Sequence, residues 1–210
     1  VQPQAELGET LTSALGFSIS RDTRDFRFDP KEGTNHSLSL EYAGTFLGGD
    51  NAYYKVVLDS SRYFPAWRDH VFSLHGRAGF ADGIDEKVLP AGERFFVGGI
   101  NTVRGFNFGK AGPLTPDGVI SGGNKEVFLN VEYLIPLSKE AGLKWLIFYD
   151  IGAAFDDTES IALSEFREGA GFGIRWISPI GPLRLEWGRN LNPKPGETDR
   201  ELEFSIGTMF

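Results

Sequence analysis

One arginine and two carboxylates carry the most suggestive chemistry in this chain. Arg104 sits in a stretch from Glu93 to Phe106 that also holds Phe95, Phe96, Val97, Val103 and Phe106. That many apolar side chains need a surface to pack against, so a stretch this apolar does not stay in water. Glu132 and Asp150 lie further on, each inside a segment of alternating polarity. A guanidinium folded onto them would bridge both with charge-assisted, partly bidentate hydrogen bonds. Gly105 would let the backbone turn closely there, and Phe106 would wedge against the wall. The plain alternative makes Arg104 a solvated loop charge and the two acids mere wetting of an aqueous interior. Residue types alone leave both readings open.

Other constellations carry less. Gly169, Gly171 and Gly173 suggest a phosphate loop, but no Lys-Ser/Thr pair and no helix follows. Their spacing of two puts them on one strand face, where small residues make room for a folded loop. Glu132 with Asp150 has the composition of a glycosidase acid pair, yet a neighbouring arginine makes a structural ion cluster the better reading. His36, His70 and His75 lack metal-ligand spacing. Ser73 and His75 share a face without a third triad member. Asp82, Asp85 and Glu86 read as solvated loop acids rather than a calcium site. No enzyme activity, cofactor or metal is expected.

The elements that position these residues are strands. The 210 residues include 27 Gly, 18 Phe, six Tyr, four Trp and no Cys, which removes thiol chemistry and disulfides. A net charge of −8 argues against a nucleic-acid partner. The longest apolar run, Trp145–Tyr149, is far too short for a membrane helix. Nine stretches alternate with period two: Leu11–Arg21, His36–Phe46, Tyr54–Phe64, Val71–Phe80, Glu126–Pro136, Trp145–Phe155, Glu168–Ile177, Leu183–Leu191 and Glu201–Phe210. In the eighth, Leu183, Leu185 and Trp187 oppose Arg184, Glu186, Gly188 and Asn190. Each stretch has the length of a tilted membrane-crossing strand. Aromatics gather near the ends at Tyr53, Tyr54, Tyr63, Phe64, Phe80, Trp145, Phe155, Trp176 and Phe210, as in interfacial girdles. The expected fold is all-β: a transmembrane antiparallel β-barrel with its apolar face on lipid and its polar face inward.

Loop lengths orient it. With Phe210 in the periplasm, the connections at Ser178–Pro182, Pro136–Lys144, Pro65–His70 and Asp22–Asn35 are periplasmic. Those at Asn192–Arg200, Asp156–Arg167, Ala81–Lys125 and Leu47–Tyr53 are then extracellular. The longest, residues 81–125, falls on the side where long loops belong. Nine is an odd number, and bacterial single-chain barrels are even. Residues 1–210 are therefore expected to be the C-terminal part of a longer barrel, about eight or nine strands of it. Val1–Thr10, polar and without a signal-type apolar segment, would be the tail of an extracellular loop.

Val103-Arg104-Gly105-Phe106, preceded by Phe96-Val97-Gly98-Gly99, resembles the signature loop of the outer-membrane assembly superfamily to which BamA belongs, the BamA/TpsB superfamily. Tyr53 to Val56, Asn130 to Tyr133, Phe148 to Gly152, Trp176 to Leu183 and the terminal stretch Glu203 to Phe210 match further blocks in order. The resemblance spans nearly the whole chain. It implies that Val103, Arg104, Gly105, Phe106, Glu132 and Asp150 form a loop lock, with Arg104 folded inward. It also implies that Phe204, Ile206, Gly207 and Phe210 form the C-terminal β-signal at a lateral edge.

The implied parent has sixteen strands behind periplasmic POTRA domains and folds other barrel proteins into the bacterial outer membrane. Its partners would be the lipid bilayer, unfolded outer-membrane clients and, through POTRA domains absent here, assembly-complex lipoproteins. Two-partner secretion or TamA-type translocation is the alternative within the superfamily, and a passive porin-like channel lies outside it. Edges at Leu11–Arg21 and Glu201–Phe210 cannot face hydrocarbon unpaired. Pairing of two copies into a homodimer, or a larger barrel of which this is part, is expected to satisfy them.

Overall fold

The computed structural model describes residues 10–179 and 181–207. The expectations for Phe210 and for residues 1–9 fall outside that range. Nine strands follow in order: β1 (Ala14–Asp22), β2 (Gly33–Ala43), β3 (Tyr53–Pro65), β4 (Val71–Gly83), β5 (Lys125–Ser138), β6 (Leu143–Phe155), β7 (Arg167–Ser178), β8 (Gly181–Asn190) and β9 (Arg200–Ile206). They form one sheet in sequence order, every neighbour antiparallel. Among the described residues β1 and β9 are its two edges, and helix is confined to 3-10 turns.

Register carries the alternation across the whole sheet. Phe17 pairs with Leu40, Leu40 with Val56, Val56 with Phe80 and Phe80 with Lys125, so one face stays continuous. Tyr133, Ile147, Phe172, Trp187 and Leu202 carry that same face to the far edge. Large apolar side chains on it are exposed from Leu15 on β1 to Phe204 on β9. An apolar band that runs across nine strands suits hydrocarbon, not water. The opposite face carries Glu132, Asp150, Arg175 and Glu186, all buried.

Strand ends depart from the periodicity reading, most informatively on β1, β2 and β4. β1 starts at Ala14 because Leu11 and Thr12 pair with the Gly49–Asp50 turn instead; the Leu11 amide donates to Asp50 Oδ2 at 2.8 Å. β2 starts at Gly33 and stops at Ala43, where Gly44 turns the chain with φ 76°. β4 runs to Gly83, so the long connection is residues 84–124.

Two expectations about side chains are corrected. Tyr53, Tyr63 and Phe155 are not exposed girdle residues; all three are buried, Tyr53 and Tyr63 because register gives them the inner-face parity of Asp59, and Phe155, which shares the outward parity of Ile147, because Phe166 of the following loop packs against it with ring centroids 5.9 Å apart. The inner face is also not uniformly polar. Phe128, Leu134, Leu146 and Phe148 point into it and are buried. The long loop explains the first of these. It folds back over the sheet, and its Val97, Val103, Phe106 and Ala111 pack with Phe128 and Ala154 as a small apolar core. Leu134, Leu146 and Phe148 form a second cluster with Tyr63 and Val71.

Candidate functional site

The tip of the inward loop is shaped by backbone geometry. Gly98, Gly99 and Gly105 have φ of 118°, 106° and 90°, a region costly for any residue with a Cβ. The Gly98 amide donates to Thr102 Oγ1 at 2.7 Å and the Gly99 amide to the Val103 carbonyl at 3.1 Å, which closes a tight turn before Arg104. The sheet is hollowed to receive this turn. A Cβ on Gly169 would stand 1.9 Å from the Arg104 carbonyl oxygen, and one on Gly188 2.5 Å from the Gly105 nitrogen. The other inner-face glycines of β7 make room for sheet residues: Phe148 beside Gly171 and Glu186 beside Gly173.

Arg104 is 0% exposed and spends its whole side chain on carboxylates. Nε and Nη2 donate to Asp150 Oδ2 and Oδ1, both at 2.7 Å, the two-pronged geometry that suits a guanidinium. Nη1 donates to Glu132 Oε1 and to Glu186 Oε2, again both at 2.7 Å. The backbone amide of Arg104 adds a bond to Asp150 Oδ2 at 3.0 Å. The Phe148 ring lies 3.6 Å from Cζ, covering the guanidinium plane.

Two more arginines complete the cluster. Arg175 donates to both oxygens of Glu132 (2.6 and 2.8 Å) and to Glu186 Oε1 (3.0 Å). Arg184 donates to both oxygens of Glu186 (2.9 and 3.1 Å). It also reaches the loop, at the Ile100 carbonyl (2.8 Å) and Asn101 Oδ1 (3.1 Å). Three guanidiniums thus face three carboxylates, and every oxygen of Glu132, Asp150 and Glu186 accepts from a guanidinium. Asn130 bonds Asp150 Oδ1 at 2.8 Å and the Thr102 carbonyl, joining loop to sheet again. His75 holds the Asn130 amide oxygen at 3.0 Å and Asp59 at 3.1 Å, a structural use of this histidine.

So the structure brings together all four residues of the 103–106 motif with Glu132 and Asp150. Phe106 sits in the loop's apolar core, with the Arg167 guanidinium 4.8 Å from its ring. Phe204 and Ile206 stand apart, outward on β9, and Gly207 follows with φ 91°. Sequence reasoning missed Glu186 as a third partner of Arg104, and Arg175 and Arg184 as bridging cations. Alternation places all three on the inner face; only register shows that β5 to β8 bring them level. Such a cluster is built to hold: burying three charge pairs is costly, and removing one partner costs more than the pair contributes.

Comparison with known proteins adds independent findings. Residues 3–210 match the Omp85 superfamily domain. An outer membrane protein assembly factor BamA of Nitratidesulfovibrio vulgaris is 31% identical over 97% of the chain, which covers 26% of that protein. A SAM50-like protein of Schizosaccharomyces pombe is 33% identical over 98% of the chain and 46% of its own length. Among solved structures, BamA from Haemophilus ducreyi lacking POTRA domains 1–3 superposes with a TM-score of 0.76 at 24% identity, over 91% of this chain and 41% of that one. The chain thus spans between about a quarter and about half the length of these proteins.

Proposed function

The chain belongs to the Omp85 superfamily, and on that footing we propose that it is the C-terminal part of an outer-membrane barrel that folds and inserts other β-barrel proteins. Its place is the bacterial outer membrane, with its continuous apolar face on lipid. The single observation that carries the reading is the buried Arg104 cluster. It holds a long loop inside the sheet, where a passive channel keeps an open lumen. The reaction needs no cofactor and no covalent step. The free edge of β9 offers backbone N–H and C=O groups to an incoming strand, and strand addition supplies the pairing energy. Val103, Arg104, Gly105, Phe106, Glu132 and Asp150 act as the loop lock. Phe204 and Ile206 keep the templating edge in the lipid plane. Clients are unfolded outer-membrane proteins, and assembly lipoproteins engage POTRA domains of the longer chain. Strands of that longer chain, rather than a second copy, continue the sheet from β1 and leave the outer edge of β9 as the seam.

The test is reconstitution of the full-length protein in phosphatidylethanolamine–phosphatidylglycerol vesicles with a urea-unfolded small barrel protein. Folding of the client, read by its gel-mobility shift on heating, is expected to be faster than in empty vesicles. Unchanged client folding together with high ion conductance would assign a channel instead. A native mass spectrum showing two copies per barrel would replace the longer-chain closure with a homodimer.

A further inference from the structure

β9 is a weakly held strand by its sheet contacts alone. It is seven residues long, pairs only with β8 among the described residues, and exposes Leu202, Phe204 and Ile206. Its register places Glu203 directly opposite Glu186 on β8. Like charges in a cross-strand pair oppose pairing. The inward loop offsets this from the inner side. Glu186 is neutralised partly by Arg104 of the loop, at 2.7 Å. Glu203 lies against the loop turn, its Oε1 3.5 Å from where a Cβ of Gly99 would stand, an ordinary contact distance. The other oxygen, Oε2, is buried without a hydrogen-bond partner among the described residues. Two residues earlier on β9, Glu201 Oε1 accepts from Asn107 Nδ2 of the loop at 2.5 Å and from Thr198 Oγ1 at 2.8 Å.

We propose that Glu201 and Glu203 are positioning residues that couple the inward loop to the edge strand, so that the seating of the loop sets how firmly β9 pairs with β8. The inference rests on the reading of β9 as the templating edge for its consequence, but the coupling itself is a property of the fold. A seated loop keeps β9 in register with its outer edge free. A displaced loop withdraws Asn107 and Arg104 together, leaving Glu201 without its loop partner and Glu203 facing an under-neutralised Glu186.

Hydrogen exchange on the full-length protein in vesicles tests this, following the backbone amides of residues 201–206. Asn107→Asp sets two carboxylates against each other and leaves the Arg104 cluster untouched. Exchange of β9 is expected to rise about tenfold, the scale of losing one charge-assisted hydrogen bond from a local opening unit. The pair Asn107→Asp with Glu201→Gln reverses donor and acceptor, so exchange should return to the wild-type rate. A merely structural role for Glu201 predicts no such rescue. Unchanged β9 exchange in Asn107→Asp, or no recovery in the pair, overturns the coupling. Client folding measured on the same vesicles separates the two ideas. Wild-type vesicles that fail to speed client folding refute the functional reading, whereas the exchange results decide the coupling either way.

Discussion

The inner faces of β1 and β2 follow the same alternation as those of β5 to β8, yet they end in opposite surroundings. Along β1 every residue is exposed, and the inner side is lined by Gly16, Ser18 and Ser20 opposite Glu41, Ser39 and Ser37 of β2. Among the described residues its side-chain link across the pair is Ser18 to Ser39, at 3.1 Å. Along β8, inner residues alternate as buried through Arg184, Glu186, Gly188 and Asn190. The difference is the loop. Alternation decides which way a side chain points, but a cover decides whether the charge there is solvated or locked. Where the loop lies, the strands carry acids, arginines and glycines shaped to it. Along the middle of β1 and β2, where it does not, small hydroxyl residues suffice, because water satisfies them.

The largest break in that contrast should come from Arg104→Ala. Asp150 would lose its bidentate partner, and Glu132 and Glu186 would keep only two guanidiniums between them. Removing one member of a buried ion cluster costs about 3–5 kcal/mol. The variant is expected to lose the heat-resistant folded form at lower temperature and to expose residues 95–106 to protease. Ser18→Ala on the uncovered side should shift the melting midpoint by an amount equivalent to under about 0.5 kcal/mol. Equal shifts for the two variants would erase the distinction between covered and uncovered faces.

Much of this was legible in the sequence, and what was not has a physical reason. Period-two alternation identified nine strands and their lipid face because a sheet side chain has only two directions. The apolar content around Arg104 marked the loop as folded against something. The alternation also put Glu186, Arg175 and Arg184 inward, but two residues on the same face are neighbours only through register. Register across β5 to β8 is fixed by three separate connections, none of which announces its length to within one residue. Tyr53 and Tyr63 misled for a related reason. An aromatic at a strand end reads as an interfacial anchor, yet a shift of one residue turns it inward. Glu201 and Glu203 gave no signal of their own, since a carboxylate on an inner face is ordinary until a loop residue arrives beside it.

A steric version of the comparison needs only one methyl group. In Gly169→Ala the new Cβ meets the Arg104 carbonyl oxygen at 1.9 Å, so either the loop or β7 must move. Overpacking of this kind costs about 1–3 kcal/mol. Gly16→Ala on β1 meets nothing nearer than the Leu40 carbonyl oxygen at 4.0 Å. It restricts the unfolded chain instead, so it should be neutral or stabilising by up to about 1 kcal/mol. Thermal midpoints of the two variants in one detergent should therefore move in different directions. If both fall alike, the loop does not seat on Gly169.

The smallest effect separates the outer rim of the covered half from its interior. Arg167, at the start of β7, clamps the 191–199 loop through Glu197, with Nη1 to Oε1 at 3.0 Å and a second bond from Nη2. The Lys194 amide adds a bond to Glu197 Oε2 at 2.8 Å. Partial burial on its own would raise the Glu197 carboxyl, but the bonds from Arg167 and from the Lys194 amide outweigh it and hold the group below the usual glutamate range. A carboxyl whose folded value is depressed stabilises the fold fully above its unfolded value, near pH 4.3, and loses that contribution as pH falls through the folded value. The clamp should therefore be intact at neutral pH and open only in acid below about pH 4. The pair lies near the surface, so the change is worth under about 1 kcal/mol. A nitroxide on Lys194→Cys keeps the backbone amide that Glu197 uses, and its spectrum should become more mobile as the sample is acidified. Glu197→Gln should remove that pH dependence. A wild-type spectrum unchanged into acid would show that the rim loop is held by its backbone turns alone, and that cover of β7 and β8 does not extend to the mouth of the sheet.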